Sequence, residues 1–271
     1  MRLEGKEAAL QFIAKHFPDC SVAVLAGSVV TGRATARSDL DLVIFDDSQP
    51  SPFRACYREF GWPIEAFVLT TESYRYIFEM NQLRAIPSIQ RMCADGTILK
   101  DDGTADALIR EAKEMLREGP WPWTEDEILQ ARYEITECLE DLAGSSSRAE
   151  DLFTVNRLAG LVQEMELRMH GCWTGEGKWV VRSLRMYDET FCRELVQELD
   201  LFYKMEQKEG LIAFVDRVLA PYGGRLFEGF RQEDERSCCW PRVRTGTPAP
   251  IRMRQGLSAV ARWRRKNRSK R

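Results

Sequence analysis

The segment 22–45 constrains the fold of this chain more than any other part of the sequence. Two apolar runs of strand length, Val22–Ala26 and Leu40–Phe45, are joined by a Gly-Ser turn and a short polar stretch. Two carboxylates two residues apart, Asp39 and Asp41, mark the start of the second run. Because side chains alternate along a strand, both carboxylates are predicted to point to the same side.

This pair of acids predicts a cation site. Two carboxylates so close together repel each other unless a cation lies between them. Mg²⁺ is the expected cation because it prefers carboxylate, water and phosphate oxygens. Gly27 and Ser28, directly after the first run, offer backbone N–H groups and a hydroxyl to the same phosphates. The pattern therefore predicts a site for a nucleoside triphosphate.

A third acid lies in a further strand-like run over residues 64–70. Glu65 is an ionisable residue in an otherwise apolar stretch, where an unpaired charge is costly. If this run lies beside the strand that follows Asp39, three carboxylates converge. Such a group suits two metal ions, one activating the attacking oxygen and the other neutralising the phosphates and the leaving group.

Together, Gly27-Ser28, Ser38-Asp39-Leu40-Asp41 and Glu65 resemble the motif of the DNA polymerase β-type nucleotidyltransferase superfamily. The layout of the chain is similar to the two-domain aminoglycoside and lincosamide nucleotidyltransferases of that superfamily. The resemblance implies transfer of a nucleoside monophosphate from an NTP, with two Mg²⁺ ions, to a hydroxyl group of a small molecule. It also implies release of pyrophosphate and a role in antibiotic resistance.

The resemblance implies a role for each matched residue. Gly27 and Ser28 would hold the triphosphate, with Ser38 as the small polar residue before the first acid. Asp39 and Asp41 would bind both metal ions. Glu65 would bind the catalytic ion and help to deprotonate the acceptor hydroxyl. Arg33 lies close to the triphosphate loop in sequence and is a further candidate phosphate ligand.

The second half of the chain offers two sets of candidates. In the aminoglycoside enzymes a carboxylate from the helix after the catalytic domain acts as general base, and Glu137 or Asp141 is the matching candidate. An exposed acidic helix face is the alternative for both. Lys178 and Arg182 have helical spacing and are candidates to clamp a triphosphate, as members of a basic stripe that includes Arg185. A surface stripe that pairs with neighbouring acids is the alternative for these cations.

The pattern of strands and helices predicts an α/β domain followed by an all-helical domain. The resemblance implies that the first is an α/β (α+β) nucleotidyltransferase domain with a short mixed sheet. We place the catalytic domain at residues 1–119, the helical acceptor-binding domain at 120–245, and a basic, flexible tail at 246–271. The boundary follows the Gly-Pro-Trp-Pro-Trp segment 119–123. Helices are expected over residues 4–16, 73–81, 105–117, 125–142, 148–170, 189–207 and 211–219, with a short helix after Gly27-Ser28.

Charge and hydropathy narrow the class of partner. The net charge is −3, and the last 21 residues contribute +9, so the remaining 250 residues carry −12. An acidic body argues against nucleic acid as a partner and suits a cationic acceptor such as an aminoglycoside. Without a signal-peptide core or a membrane-length apolar run, the sequence predicts a cytoplasmic protein.

The sequence is also compatible with other acceptors and with a non-catalytic function. The acceptor is either a small molecule or a macromolecule, namely RNA or a protein hydroxyl, and the basic tail keeps RNA among the candidates. A non-catalytic nucleotide-binding or antitoxin-like module that pairs with a partner protein is the remaining alternative. A homodimer is compatible with the sequence.

Overall fold

A five-stranded mixed sheet forms the first part of the computed structural model, which describes residues 2–231. Its strands are β1 (Val22–Ala26), β2 (Leu40–Phe45), β3 (Phe53–Glu59), β4 (Trp62–Leu69) and β5 (Thr97–Asp101). They are arranged in the order β3-β4-β2-β1-β5. β2 and β4 are parallel, whereas the other neighbouring strands are antiparallel.

Both faces of the sheet are covered by helices. Leu42 and Ile44 of β2 belong to the face that packs against α1 (Gly5–His16). Val43 and Phe45 point to the opposite face, where a second core forms. The helices that supply this second core are α2 (Tyr74–Arg84), α3 (Ser88–Asp95) and α4 (Ala105–Glu118).

The rest of the described chain is helical and has its own apolar core. Its helices are α5 (Glu125–Gly144), α6 (Arg148–Met169), α7 (Lys178–Tyr187), α8 (Glu189–Met205) and α9 (Glu209–Leu219), followed by a 3-10 turn at Ala220–Tyr222. A capping box begins α5, where Thr124 and Glu127 satisfy each other's backbone N–H groups. None of the helices in residues 2–231 is long and apolar enough to cross a membrane.

The segment before α7 is attached to the sheet-containing part. Thr174 is buried and donates to the carbonyl of Ala85 twice, from its backbone N–H at 2.8 Å and from its hydroxyl at 3.0 Å. The indole N–H of Trp173 donates to the carbonyl of Leu116 at 2.9 Å. Ser183 of α7 donates to the carbonyl of Thr174 at 3.1 Å. These hydrogen bonds fix the start of α7 beside α2 and α4.

The expected architecture, a mixed sheet followed by a helical region, is confirmed. Strands β1 and β2 have the expected bounds, but β3, β5 and α3 were not predicted. The short helix expected after Gly27-Ser28 is wrong, because this segment is a turn. Gly27 and Gly32 have φ values of +79° and +67°, which a right-handed helix does not allow. The residues between these two glycines are too few for a helix. The predicted basic tail lies outside the described residues.

The two acids directly after β2, Asp46 and Asp47, are held by hydrogen bonds. The Asp46 side chain is buried. Its carboxylate accepts hydrogen bonds from Ser48 and Gln49, which lowers the pKa of Asp46 despite its burial. Asp47 is exposed and accepts from the backbone N–H and the hydroxyl of Thr71. Both acids therefore have structural partners.

Candidate active site

The three acids predicted from the sequence converge at one end of the parallel strand pair. Asp41 of β2 and Glu65 of β4 are register partners. Neighbouring strands are about 4.8 Å apart, so partners in register lie side by side on the same face. Asp39 precedes β2 by one residue and lies close to both. One carboxylate oxygen of each acid lies within 4.8 Å of those of the other two.

This arrangement is electrostatically unfavourable without a cation. Burial raises the pKa of Asp41 to about 6, and the neighbouring charges of Asp39 and Glu65 act in the same direction. Lys178 and Arg54 oppose the rise. Three hard oxygen donors that repel one another fit Mg²⁺, because a divalent cation relieves the repulsion and prefers these ligands. The donor set thus fits the ion that the sequence predicts.

Gly27 is packed against the acids. Gly27 has a positive φ, and an added Cβ at this position would also collide with the carboxylate of Asp41. Ser28 donates to the hydroxyl oxygen of Ser38 at 3.0 Å. The Ser38 hydroxyl in turn accepts from the backbone N–H of Thr35 at 2.8 Å. The Gly-Ser turn is therefore linked to the residue that precedes Asp39.

A cleft of about 720 Å³ collects most of the residues predicted from the sequence. From the sheet side it is lined by Gly27, Ser28, Arg33, Ser38, Asp39 and Asp41. From the helical side it is lined by Lys178 and Arg182 of α7. Glu65 does not line the cleft, although its carboxylate belongs to the acid cluster. The cleft therefore brings the carboxylates of the sheet side together with the cations of α7, although Arg33 also lies on the sheet side and Asp95 and Glu176 are among the lining residues.

The cations of α7 differ in their partners. Arg185 lies 3.5 Å from Glu189 and forms the surface pair that the alternative interpretation expected. Within residues 2–231, neither Lys178 nor Arg182 forms an ion pair with a carboxylate. Arg33 is exposed and donates to the hydroxyl oxygen of Thr31 at 3.4 Å. Lys178 and Arg182 are thus available to an anionic ligand in the cleft.

The two acids of α5 are not among the residues that line this cleft. Glu137 is half-buried and accepts a hydrogen bond from the Tyr133 hydroxyl at 2.8 Å. Asp141 is exposed one helical turn later. Their assignment as general base remains a prediction.

The structure adds three residues that sequence reasoning missed. Arg54 of β3 forms an ion pair with Glu65, and its guanidinium lies 5.2 Å from the centre of the Phe67 ring. Arg91 of α3 and Trp179 of α7 line the cleft beside Arg182. Side-chain alternation places Arg54 on one face of β3, but only the register of β3 with β4 shows that Arg54 reaches Glu65. Arg91 has no signal of its own, because α3 was not predicted.

No family model and no curated protein sequence matches the chain. Among solved structures, the chain is similar to a nucleotidyltransferase-like protein from Exiguobacterium sibiricum 255-15, at 10% sequence identity and a TM-score of 0.43. The match covers 80% of this chain and 74% of that one. So distant a likeness carries no argument about function.

Proposed function

We propose that this protein is a Mg²⁺-dependent nucleotidyltransferase that transfers a nucleoside monophosphate from an NTP to a hydroxyl group of a small molecule. The observation that carries the proposal is the composition of the cleft. The acids Asp39 and Asp41 line the same cleft as Lys178 and Arg182, and neither cation forms an ion pair with a carboxylate within residues 2–231. An ionised triphosphate with its Mg²⁺ ions complements both walls, because the ions suit the acids and the phosphates suit the cations.

The residues of the sheet side would bind and orient the donor. Asp39, Asp41 and Glu65 would hold the metal ions, which when bound neutralise phosphate charge and activate the attacking oxygen. The Ser28 hydroxyl and the backbone N–H groups of the turn would donate to phosphate oxygens. Gly27 allows this turn to approach the acids closely, because it has no side chain to displace Asp41.

The helical side would complete the donor site. Lys178 and Asp41 line the same cleft, and the positive charge of Lys178 opposes the rise in the pKa of Asp41. It would neutralise the phosphate oxygens nearest the reacting phosphorus. The acceptor hydroxyl would attack that phosphorus in line, the bond to the bridging oxygen would break, and pyrophosphate would leave. A carboxylate, Glu65 or an acid of α5, would take the hydroxyl proton.

The acidic body supports a cationic acceptor of the aminoglycoside class within this proposal. Residues 1–250 carry a net charge of −12, which attracts cations over the Debye length of about 8 Å at physiological salt. RNA is negatively charged, like residues 1–250, and would be repelled by the same field. We therefore favour a small cationic acceptor over RNA.

The test is pyrophosphate release from each of the four NTPs with Mg²⁺ and a panel of aminoglycosides, neutral hydroxyl compounds, RNA and proteins. We expect turnover with one class of small acceptor. We also expect a loss of about 100-fold or more in Asp39→Asn, since a metal ligand is worth several kcal/mol in the transition state. An unfolding curve of the variant controls for its fold.

Two results would contradict the proposal. If NTP binds but no acceptor supports pyrophosphate release, a non-catalytic nucleotide-binding module is favoured. If Asp39→Asn turns over NTP at the wild-type rate, the three acids do not form the reaction centre. Turnover with RNA or protein alone would keep the reaction and replace the acceptor.

A further inference from the structure

Two guanidinium groups share the indole ring of Trp179. The guanidinium carbon of Arg91 lies 4.7 Å from the ring centre, and that of Arg182 lies 4.8 Å from it. Arg91 belongs to α3, which packs against the sheet, whereas Trp179 and Arg182 belong to α7. The stack, defined as these three residues, therefore joins the two walls of the cleft.

The guanidinium groups of the stack have no ion-pair partner in the described part of the protein, although Asp95 and Glu176 line the same cleft. Burial lowers the pKa of Arg91, and the charge of Asp95 acts in the opposite direction. Two like charges over one ring also repel each other, which the attraction of each to the ring offsets only in part. The arrangement is suited to an anion that pairs with both groups.

We propose that Arg91 and Arg182 bind the β- and γ-phosphates of the NTP, and that Trp179 positions both guanidinium groups for this contact. The inference rests on the proposed function and extends it to the leaving group. Arg91 is an addition to the donor site that neither the sequence pattern nor the resemblance indicates. Trp179 acts through the two arginines and needs no contact of its own with the phosphates.

The position of the stack along α7 supports this assignment. Lys178 acts on Asp41 at the acid cluster, where the reacting phosphorus would lie. Arg182 follows four residues later, which corresponds to about 6 Å along a helix axis. The stack and Ser28 line the same cleft. The terminal phosphates would therefore extend from the acid cluster towards the stack.

The chemistry of the guanidinium group explains why a ring is useful here. Its five N–H donors lie in its plane, so stacking on an indole leaves them free to bind phosphate oxygens. In the transfer step the bond between the α-phosphorus and the bridging oxygen breaks, and negative charge grows on the departing pyrophosphate. Two charge-assisted contacts would stabilise that charge, and they would strengthen as the bond breaks.

The experiment measures the binding of inorganic tripolyphosphate and pyrophosphate to the full chain by calorimetry, in EDTA. Without metal and nucleoside, the readout is independent of nucleotidyl transfer. We expect Arg91→Ala and Arg182→Ala each to weaken tripolyphosphate binding by about 10-fold or more, as expected for a charge-assisted hydrogen bond. Arg217→Ala is the matched control, because Arg217 also lies over an aromatic ring, that of Phe214, but pairs with Glu194 and does not line the cleft.

The role of Trp179 is tested by two substitutions. Trp179→Ala should weaken tripolyphosphate binding as much as the arginine variants, whereas Trp179→Phe should restore most of it, because a phenyl ring still supports stacking. A purely structural tryptophan would instead change the unfolding midpoint without this pattern of affinities. The unfolding curve of each variant is therefore recorded beside its affinity.

Several results would overturn the inference. The inference is wrong if the wild-type protein binds no tripolyphosphate. It is also wrong if Arg91→Ala or Trp179→Ala binds tripolyphosphate with unchanged affinity. The failure of the proposed function looks different. In that case tripolyphosphate binds through the stack, but no NTP releases pyrophosphate with any acceptor. Conversely, if pyrophosphate is released and Arg91→Ala leaves KM for NTP and kcat unchanged, the transfer reaction stands and the stack has no part in it.

Discussion

The contact between Gly27 and Asp41 leads to a prediction with a matched control in the same turn. Gly27 and Gly32 both have positive φ, +79° and +67°. An added Cβ at Gly27 would collide with the Asp41 carboxylate, whereas at Gly32 it would meet no atom within 4 Å. Gly27→Ala and Gly32→Ala therefore share the backbone cost and differ in the collision.

The magnitudes follow from these two terms. A left-handed conformation costs an L-residue about 1–2 kcal/mol, and the lower entropy of the unfolded chain with Ala offsets about 0.4–1 kcal/mol of it. Gly32→Ala should therefore lower the free energy of unfolding by about 1 kcal/mol. Gly27→Ala must also push the Asp41 side chain out of its rotamer, which adds about 0.5–1.5 kcal/mol. Because this shift separates Asp41 from Glu65, metal affinity should fall only in Gly27→Ala.

The assays are urea unfolding and Mg²⁺ or Mn²⁺ titration calorimetry on both variants. A double mutant with Asp41→Ala sharpens the test, because only the Asp41 Cβ then remains, at 3.4 Å from the added Cβ, which is ordinary van der Waals contact. The extra cost of Gly27→Ala should disappear in that background. Equal unfolding free energies and equal metal affinities in Gly27→Ala and Gly32→Ala would refute the reasoning.

Three further predictions concern the charges of the site. The pKa of Asp41 is about 6 in the folded protein, above its unfolded value near 3.8, so ionisation of Asp41 lowers the free energy of unfolding as pH rises between these values. After allowance for solvent screening, we expect urea unfolding of metal-free Asp41→Asn to show a gain of about 1–2 kcal/mol relative to wild type between pH 4 and pH 8. A difference that stays constant with pH would contradict the raised pKa. Arg54→Ala removes the cation that pairs with Glu65. Because the Arg54 side chain is exposed, the pair is worth up to about 1 kcal/mol, and we expect calorimetry to show metal binding tightened by up to about 5-fold. Weaker binding would mean that Arg54 holds Glu65 in place. If α5 supplies the general base, Glu137→Gln or Asp141→Asn should lower kcat by about 100-fold or more, and unchanged kcat in both would leave Glu65 to accept the proton.

Much of the sheet side of the site could be predicted from the sequence, because its signals are local. The alternation after Asp39 places two carboxylates on one side of β2, and a single acid in an apolar run marks Glu65. These signals require no knowledge of which strands pair. The register of Asp41 with Glu65 then brings the three acids together.

The residues missed depend on long-range pairing or on short elements. Arg54 reaches Glu65 diagonally across the β3–β4 pair, so its role depends on register. Arg91 lies in an eight-residue helix with a weak start, since Pro87 at its N-cap provides no side-chain hydrogen bond. Lys178 and Arg182 were found by helical spacing, but their direction towards the acids depends on the hydrogen bonds of Thr174 to Ala85.

The alternation of β2 has a consequence for the accuracy of folding. Leu40, Leu42 and Ile44 are fully buried on the face that packs against α1, while Asp41 lies on the other face. A shift of β2 by one residue against its neighbours would turn Asp41 towards α1 and its apolar core, and would move the leucines to the face that carries the acids. Burying an unpaired carboxylate there would cost several kcal/mol. The acids that form the candidate site therefore also help to reject the wrong strand register.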